Sequence, residues 1–524
     1  MRPLLASSTA VACAAVLALP LTAPSGAAAV RSGVANATAA AAPAPSSAGV
    51  PGSTRSLPLV DLGTAADRAG GAAEMGLAAR RVRPFSLLGV VWKDPAAELH
   101  GRVQVRTRAA RTHVWSGWQD VQTHDDDRPD ADSPEARGRR AHGTTAPLWV
   151  GDSDGVQVRV RGPKAAGRHG GTGHAKGRRG GAPHAALPAG LRLDLVDPGA
   201  DPTPAERAAG PVPTGEEAAS SDVNAQLAPL GATEIPALDK AESEADAAVV
   251  DGIGDGIGDG IADRTAEGIG DGPSDASDTS DDGTRHDDTR PGGAVHEGTA
   301  PHDGIVHDGK LEEEDARAAE MRRRIGPRPR IVTRSGWGAN EGLRERRFRY
   351  TRTVKAAFVH HSATGNNYRC SQAPRVIRGI YRYHVKSSGW RDIGYNFLID
   401  KCGTVYEGRA GGVAKPVMGA HTLGFNSNSM GIAVLGSFAH ANPPAAAVKA
   451  VARLTAWKLG LYGANPRGTT RLVSGGGNRF KKGARVKLHV ISGHRDGFAT
   501  ECPGARLYRK LGSARAVSAR LQGR

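Results

Sequence analysis

The sequence has few aromatic residues, and their distribution argues against a folded core in its middle. The 524 residues include 8 Phe, 8 Tyr and 7 Trp, and none of these lies between Trp149 and Trp337. A segment without large apolar side chains buries too little surface to offset the conformational entropy lost on folding. Residues 198–325 are therefore predicted to be a disordered, acidic, low-complexity linker. An Asp-Gly repeat starts at Asp251, and calcium binding stays open as an alternative for that part.

Long hydrophobic runs are also scarce. The sequence contains one, near the N-terminus. Residues 4–21 are rich in Ala and Leu, Arg2 precedes them, and small residues occupy 25–29. This order is typical of a cleaved export signal. No second run follows that could anchor the chain in a membrane. We predict a signal peptide over 1–29 and a secreted, extracellular protein without a membrane anchor.

Two segments that differ in composition and in hydrophobic pattern follow the predicted signal peptide. Residues 30–81 are rich in Ala, Pro, Ser and Gly, and they are predicted to be a disordered linker. In residues 82–197 apolar and polar residues alternate, as in Val103-Gln-Val105, and this period indicates half-buried strands. We predict a small all-β accessory module there. It shows no cluster of ligands or nucleophiles, so we expect it to bind a polymer rather than to catalyse a reaction.

The C-terminal part of the chain is strongly basic. Residues 326–524 contain 35 Lys or Arg against 7 Asp or Glu, a net charge of +28. Such a charge implies a polyanionic partner. No helix-turn-helix, zinc-finger or RNA-binding signature is present, so nucleic acid is not expected. For an exported chain, anionic polymers of a cell wall fit better.

Two short stretches of this basic part offer the ligands of a metal site. His360 ends an apolar, strand-like run, whereas His494 and Cys502 share one loop punctuated by Gly and Pro. Two imidazoles and a thiolate are the ligand set of a catalytic Zn²⁺ that keeps its fourth position open for water. A dyad of Cys502 and His494 in a thiol peptidase is the alternative. The ligand-type residue at 360 and the proline after Cys502 favour the metal.

Cysteine usage suggests one disulfide. Cys13 would leave with the signal peptide, and Cys502 is a predicted metal ligand. Cys370 and Cys402 then remain, and outside the cytoplasm they are expected to pair. Two free, buried thiols are the alternative.

The blocks from Arg334-Ser-Gly-Trp337 to Cys502-Pro-Gly resemble the peptidoglycan recognition proteins and the type 2 N-acetylmuramoyl-L-alanine amidases. The resemblance covers nearly all of residues 326–524 and none of the first 325. It implies an α/β fold in which helices flank a mixed β-sheet. It also implies that His360, His494 and Cys502 are the ligands of Zn²⁺.

The resemblance implies roles for five further residues. Tyr395 corresponds to the active-site tyrosine beside the metal. Thr500 stands where phage enzymes carry Lys and many other amidases carry Thr, and it is expected to support catalysis. His421 and Asn426 fall where the family lines its substrate groove. His361 also occurs in non-catalytic relatives that lack the preceding His, so it is assigned to substrate binding rather than to the metal.

The implied function is zinc-dependent hydrolysis of peptidoglycan at the amide between the lactyl group of N-acetylmuramic acid and L-alanine. The protein is expected to act as a monomer associated with the cell wall. The alternative is a peptidoglycan-binding protein without activity. Non-catalytic members commonly replace the cysteine ligand, whereas this chain keeps Cys502. No carboxylate of the motifs clearly serves as a general base, and Glu407 and Asp496 are interpreted as structural.

Overall fold

The computed structural model of the chain describes residues 52–62, 73–123, 127–138, 141–163, 187–201, 215–254 and 316–524, except for the side chains of 248–254. The predicted signal peptide and most of the Asp-Gly repeat lie outside these ranges. Within them, every helix is too short or too polar to cross a membrane.

An eight-stranded antiparallel sheet forms the N-terminal module. Its strands are β1 (Ser53–Pro58), β2 (Val60–Asp61), β3 (Glu74–Trp92), β4 (Arg102–Ala109), β5 (Gln119–Val121), β6 (Gly143–Thr144), β7 (Leu148–Arg161) and β8 (Arg192–Asp197). The order is β1-β8-β3-β7-β4-β5, and β2 and β6 pair with β3. Alternate residues such as Val103, Val105, Val156 and Val158 are fully buried in one core. The predicted β-rich module is confirmed.

This module begins earlier in the chain than the sequence predicts. β1 pairs with β8, and β2 pairs with β3. Leu57 and Leu59 are buried in the core of the module. The predicted linker over 30–81 is therefore wrong for residues 53–61 and 74–81. These strands are short of apolar residues themselves, and the neighbouring strands supply the surface against which they pack.

The C-terminal domain is built on a mixed seven-stranded sheet of order β17-β11-β14-β12-β13-β10-β9. Its strands are β9 (Glu234–Ile235), β10 (Ile331–Val332), β11 (Ala356–His361), β12 (Phe397–Ile399), β13 (Val405–Glu407), β14 (Ser429–Val434) and β17 (Ile491–Gly493). β17, β11, β14 and β12 run parallel, whereas β12 and β13 are antiparallel. A separate hairpin joins β15 (Thr469–Val473) to β16 (Arg485–His489).

Helices cover both faces of this sheet. The helices are α1 (Glu216–Asp222), α2 (Lys240–Gly254), α3 (Arg334–Trp337), α4 (Ala373–Arg382), α5 (Ala445–Gly460), α6 (His494–Gly497), α7 (Ala505–Tyr508) and α8 (Leu511–Leu521). β11 and β14 are buried along their whole length, as expected for central strands of a covered parallel sheet. Trp457 of α5 packs with Val359 on one face, and Ile377 of α4 packs with Ala433 on the other. The predicted α/β fold is confirmed.

Part of the predicted acidic linker is folded onto this domain. β9 pairs with β10, so that Ile235 lies opposite Ile331 at the edge of the sheet. Leu227, Ile235 and Ala247 are buried in the same core as Ile331. The predicted linker over 198–325 is therefore wrong for residues 215–254, and also at Ile325, which is buried in the same core. Its apolar residues are too sparse to show in the composition, but they fall where the edge of the sheet needs covering.

A disulfide joins Cys370 to Cys402, as predicted. Cys370 opens the 3₁₀ turn Cys370–Gln372 directly before α4. Cys402 lies in the turn between β12 and β13. The bond ties the start of α4 to the sheet that this helix covers.

The β-module packs on α4 through an apolar interface. Leu87 and Trp149 of the module share one hydrophobic core with Ile377 and Ile380 of the helix. The hydroxyl of Tyr383 also donates a hydrogen bond to the carbonyl of Thr145 across the interface, over 3.1 Å. The module is thus attached to the same helix that supports the sheet.

Replacing Ile235 tests whether residues 215–254 belong to the fold. Ile235→Ala should lower the free energy of unfolding by about 2–4 kcal/mol, because it leaves a cavity in the buried sheet edge. Leu230→Ala is the control, since Leu230 is 54% exposed and its truncation should cost less than about 0.5 kcal/mol. Urea unfolding of the full chain measures both values. Equal effects of the two changes would contradict the docking of this segment.

Candidate metal centre

The three predicted metal ligands meet at the ends of two neighbouring parallel strands. β11 pairs with β17 so that Val359 lies opposite Gly493, which places the next residues, His360 and His494, side by side. Cys502 joins them from the loop after α6. The three ligand atoms lie within 4.8 Å of one another, and all three side chains are buried.

The geometry and chemistry of this cluster fit a zinc ion. Bond lengths of about 2.0 Å to nitrogen and 2.3 Å to sulfur put two ligands of a tetrahedral zinc about 3.5 Å apart. Nδ1 of His360 lies 3.7 Å from Sγ of Cys502. Burial lowers the pKa of His360, so the neutral imidazole that a metal requires is favoured. The three side chains could hold zinc and leave one position for another ligand.

Thr422 orients His360. Its Oγ1 lies 3.4 Å from Nε2 of His360 and 3.0 Å from Nδ1 of His421. A partner on the second ring nitrogen fixes the tautomer and the orientation of a ligating histidine. The sequence prediction missed Thr422, and its one signal was its position directly after His421.

The loop around Cys502 is held by short-range hydrogen bonds. The backbone N–H of Cys502 donates to Oγ1 of Thr500 over 3.2 Å, and the N–H of Arg495 donates to the carbonyl of Cys502 over 3.0 Å. The structure thus gives Thr500 a part in fixing the thiol ligand. Its predicted role towards the substrate stays a prediction.

The two carboxylates of the motifs have structural partners, in agreement with their interpretation. Asp496 accepts hydrogen bonds from the N–H of Gly493 and the hydroxyl of Tyr508, over 2.9 and 2.6 Å, and so caps α6. Glu407 accepts hydrogen bonds from Asn224 and from the N–H of Arg334. Burial raises the pKa of Glu407 to about 7.

Tyr395 lies beside the cluster, where the sequence predicts it. Its ring centroid is 5.5 Å from that of His360, and the side chain is buried. Its hydroxyl donates a hydrogen bond of 2.5 Å to Oδ2 of Asp127. The other oxygen of the same carboxylate faces the ligand nitrogens of His360 and His494, so the hydroxyl of Tyr395 points towards the metal ligands.

Asp127 comes from the β-module, and the sequence prediction missed it. Its Oδ1 lies 2.8 Å from Nδ1 of His360 and 3.2 Å from Nδ1 of His494. Burial alone would raise the pKa of Asp127, but the two imidazoles beside it hold that pKa well below its usual range. An Asp-rich run at 125–127 was the available signal. Nothing in the sequence connects that run to a histidine 233 positions later.

His421 and Asn426 lie next to the cluster, and their predicted role in lining the substrate groove stays a prediction. The ring of His421 is 5.3 Å from that of His360. Oδ1 of Asn426 accepts hydrogen bonds from the N–H groups of His421 and Thr422 and thereby shapes their loop. Nδ2 of Asn426 donates to the carbonyl of Arg128 over 3.0 Å. The amide thus faces the β-module.

His361 does not fit the predicted role in substrate binding. Neighbours on a strand point to opposite faces, and the ring of His361 packs against Phe438, with their centroids 6.5 Å apart. Its Nδ1 accepts a hydrogen bond from the N–H of Phe438, and the residue is 1% exposed. His361 therefore belongs to the core beneath α5, and the assignment to the groove is corrected.

Comparison with known proteins finds matches for both parts of the chain. The family model described as N-acetylmuramoyl-L-alanine amidase matches residues 350–505, and the one described as Rv3811 N-terminal galactose-binding domain-like matches residues 38–185. Peptidoglycan-recognition protein SC2 of Drosophila simulans is 35% identical over 183 residues, 34% of this chain and 84% of that protein. Peptidoglycan recognition protein 1 of Bos indicus is 32% identical over 180 residues, 34% of this chain and 80% of that protein.

One similar solved structure is that of peptidoglycan recognition protein-LE in complex with tracheal cytotoxin, a monomeric diaminopimelic acid-type peptidoglycan. It is 28% identical, with a TM-score of 0.25, and the match covers 35% of this chain and 92% of that chain.

Matched changes of the two adjacent histidines test the ligand set. His360→Asn should lower the affinity for zinc by more than about 100-fold, beyond the loss typical of outer-sphere partners. His361→Asn should keep one zinc per chain, because Asn can still accept the hydrogen bond of Phe438. Elemental analysis after dialysis against a zinc buffer measures both. Loss of zinc from His361→Asn with retention by His360→Asn would reverse the assignment.

Proposed function

The chain belongs to the peptidoglycan recognition protein family, and we propose that it is a zinc-dependent N-acetylmuramoyl-L-alanine amidase. The proposed reaction hydrolyses the amide between the lactyl group of N-acetylmuramic acid and L-alanine in peptidoglycan. One observation carries the proposal: His360, His494 and Cys502 converge in a buried cluster beside the hydroxyl of Tyr395.

The side chains of the site suit this reaction. Bound zinc would polarise the amide carbonyl and lower the pKa of an attacking water. Thr422 would hold His360 in the orientation that presents Nδ1 to the metal. The hydroxyl of Tyr395 is an O–H donor placed to stabilise the negative charge that develops on the carbonyl oxygen. Burial of the cluster strengthens these electrostatic interactions.

Binding of peptidoglycan without hydrolysis is the second candidate. It is favoured by the relatives themselves, which are named recognition proteins. The ligand set and Tyr395 support the amidase instead, because recognition alone needs neither a metal nor an oxyanion donor.

The protein is further proposed to act outside the cytoplasm, at the cell wall. The Cys370–Cys402 disulfide is typical of an oxidising compartment. The net charge of +28 over residues 326–524 supports attraction to anionic wall polymers.

Product analysis tests the proposed bond. The full chain should release from purified peptidoglycan free stem peptides that begin with L-alanine. A zinc chelator should abolish this release, and added zinc should restore it. Mass spectrometry identifies the products. Peptides cut at another bond would contradict the proposed specificity, and intact glycopeptides that co-sediment with the protein would favour recognition alone.

Replacing the thiol ligand separates catalysis from binding. Cys502→Ser should lower hydrolysis to the background rate, because the hydroxyl of serine is a poor ligand for zinc. Sedimentation with peptidoglycan should stay within about twofold, since Cys502 is buried and the groove is unchanged. Chelated wild-type protein is the matched control. Equal loss of binding and hydrolysis would argue against a role of Cys502 confined to the metal.

A further inference from the structure

A loop of the β-module enters the site described above. The chain between β5 and β6 carries residues 127–135, which we call the plug. Four acidic residues of the plug contact the C-terminal domain, and they are Asp127, Asp130, Asp132 and Glu135. The plug is therefore an acidic segment lying against a strongly basic domain.

Asp127 lies where the metal ligands meet the hydroxyl of Tyr395, which is the end of the proposed substrate groove at which hydrolysis would take place. One of its carboxylate oxygens faces Nδ1 of both His360 and His494, and the other accepts the hydrogen bond of Tyr395. The side chain of Asp127 is 4% exposed. A substrate carbonyl that accepted a hydrogen bond from the same hydroxyl would need the space that Asp127 fills.

The next residues of the plug satisfy the polar donors of the groove. Oδ1 of Asp130 accepts hydrogen bonds from the N–H of Gly424 over 2.7 Å and from Nδ2 of Asn426 over 2.9 Å. The carbonyl of Arg128 accepts a second bond from the same amide group. Backbone carbonyls and carboxylates are also what the stem peptide of peptidoglycan offers. The plug thus resembles an acidic peptide ligand.

Glu135 anchors the far end of the plug. Its two oxygens bind both terminal nitrogens of Arg409 over 3.0 and 2.8 Å, and this pair is buried. The carboxylate also accepts a hydrogen bond from the N–H of Arg391. Arg409 is a buried cation that requires an anion, and here the anion comes from the β-module.

We propose that the plug is an internal competitor of peptidoglycan, which fills the groove and keeps the chain latent until substrate displaces it. The blocking of hydrolysis rests on the proposed function, whereas competition for the groove does not. The module need not dissociate for this to happen. Leu87 and Trp149 attach it to α4 through apolar contacts, while the plug is held by polar contacts that a ligand can replace.

A different role for Asp127, as a general base supplied by the module, makes the opposite prediction. A base must face the attacking water while the ligand nitrogens hold the metal. Asp127 lies 2.8 and 3.2 Å from the two ligand nitrogens, which places its carboxylate beside the metal position in either role. The two roles are separated by the direction in which activity changes when the charge of Asp127 is removed.

The first test measures binding by the metal-free full chain. Calorimetry would compare wild type, Asp127→Asn and the triple variant Asp127→Asn/Asp130→Asn/Glu135→Gln with a purified disaccharide-tetrapeptide. The triple variant should bind about tenfold more tightly. In the wild type only the open fraction of the chains can bind, which weakens the apparent affinity in proportion, and the variant should raise that fraction. Asp120→Asn is the matched control, since Asp120 pairs with Arg102 on the exposed surface of the module. It should bind like wild type.

The second test follows hydrolysis by the zinc-loaded full chains. Asp127→Asn should cleave peptidoglycan faster than wild type and Asp120→Asn. If the variants bind more tightly but none hydrolyses peptidoglycan, the plug is supported and the proposed amidase is overturned. Loss of hydrolysis in Asp127→Asn at unchanged affinity would overturn the plug and make Asp127 a catalytic residue. Equal affinity of all chains would also overturn the plug.

A measurement on the unmodified chain covers the case in which the variants fold poorly. Amide hydrogen exchange of peptides spanning 127–135 would be compared with and without a saturating concentration of the same disaccharide-tetrapeptide. Displacement of the plug predicts faster exchange there and unchanged exchange in β7, which belongs to the core of the module. Bound ligand with unchanged exchange over 127–135 would overturn the proposal.

Discussion

The parallel pairing of β11 with β14 and β17 is the constraint on which the site depends. Its register sets Val359 opposite Gly493, and the candidate metal ligands His360 and His494 follow one residue further on. A slip of one residue would exchange the faces of His360 and His361. The register is fixed because Ala357 and Val359 fill the core beneath α5, while Phe358 packs with Phe425 on the other face. The chemistry of the site therefore follows from the packing of the strand that carries it.

The strand that carries the first ligand could be predicted from its local pattern. The apolar run ending at His360 matches β11 closely, because it buries a surface that its own residues reveal. The cluster of His360, His494 and Cys502 could also be proposed, since few residue types bind a metal and they recur in recognisable motifs. Each inference rests on short motifs whose residue types reveal their role.

The incorrect or missed predictions concern segments whose structure depends on residues that are distant in the sequence. Residues 215–254 look like a linker by composition, yet Ile235 is buried by β10. Asp127 sits in a polar loop, and the packing of Leu87 and Trp149 on α4 helps to bring it to the histidines. His361 was misassigned because the resemblance gives its position in the motif but not the face of the strand to which it points.

The buried arginines of the C-terminal domain differ in where their carboxylate partners come from. This difference separates ion pairs within the domain from an ion pair that a ligand could replace. Arg334 is paired with Glu341 and Asp392, which both belong to the C-terminal domain. Arg409 is also buried, but its carboxylate partner, Glu135, belongs to the β-module. Leaving a buried charge without a partner costs about 3–5 kcal/mol, so withdrawal of the plug requires that another anion reach Arg409. A carboxylate of the stem peptide would meet that requirement, and the same arrangement would then hold the groove closed without substrate and open it in its presence.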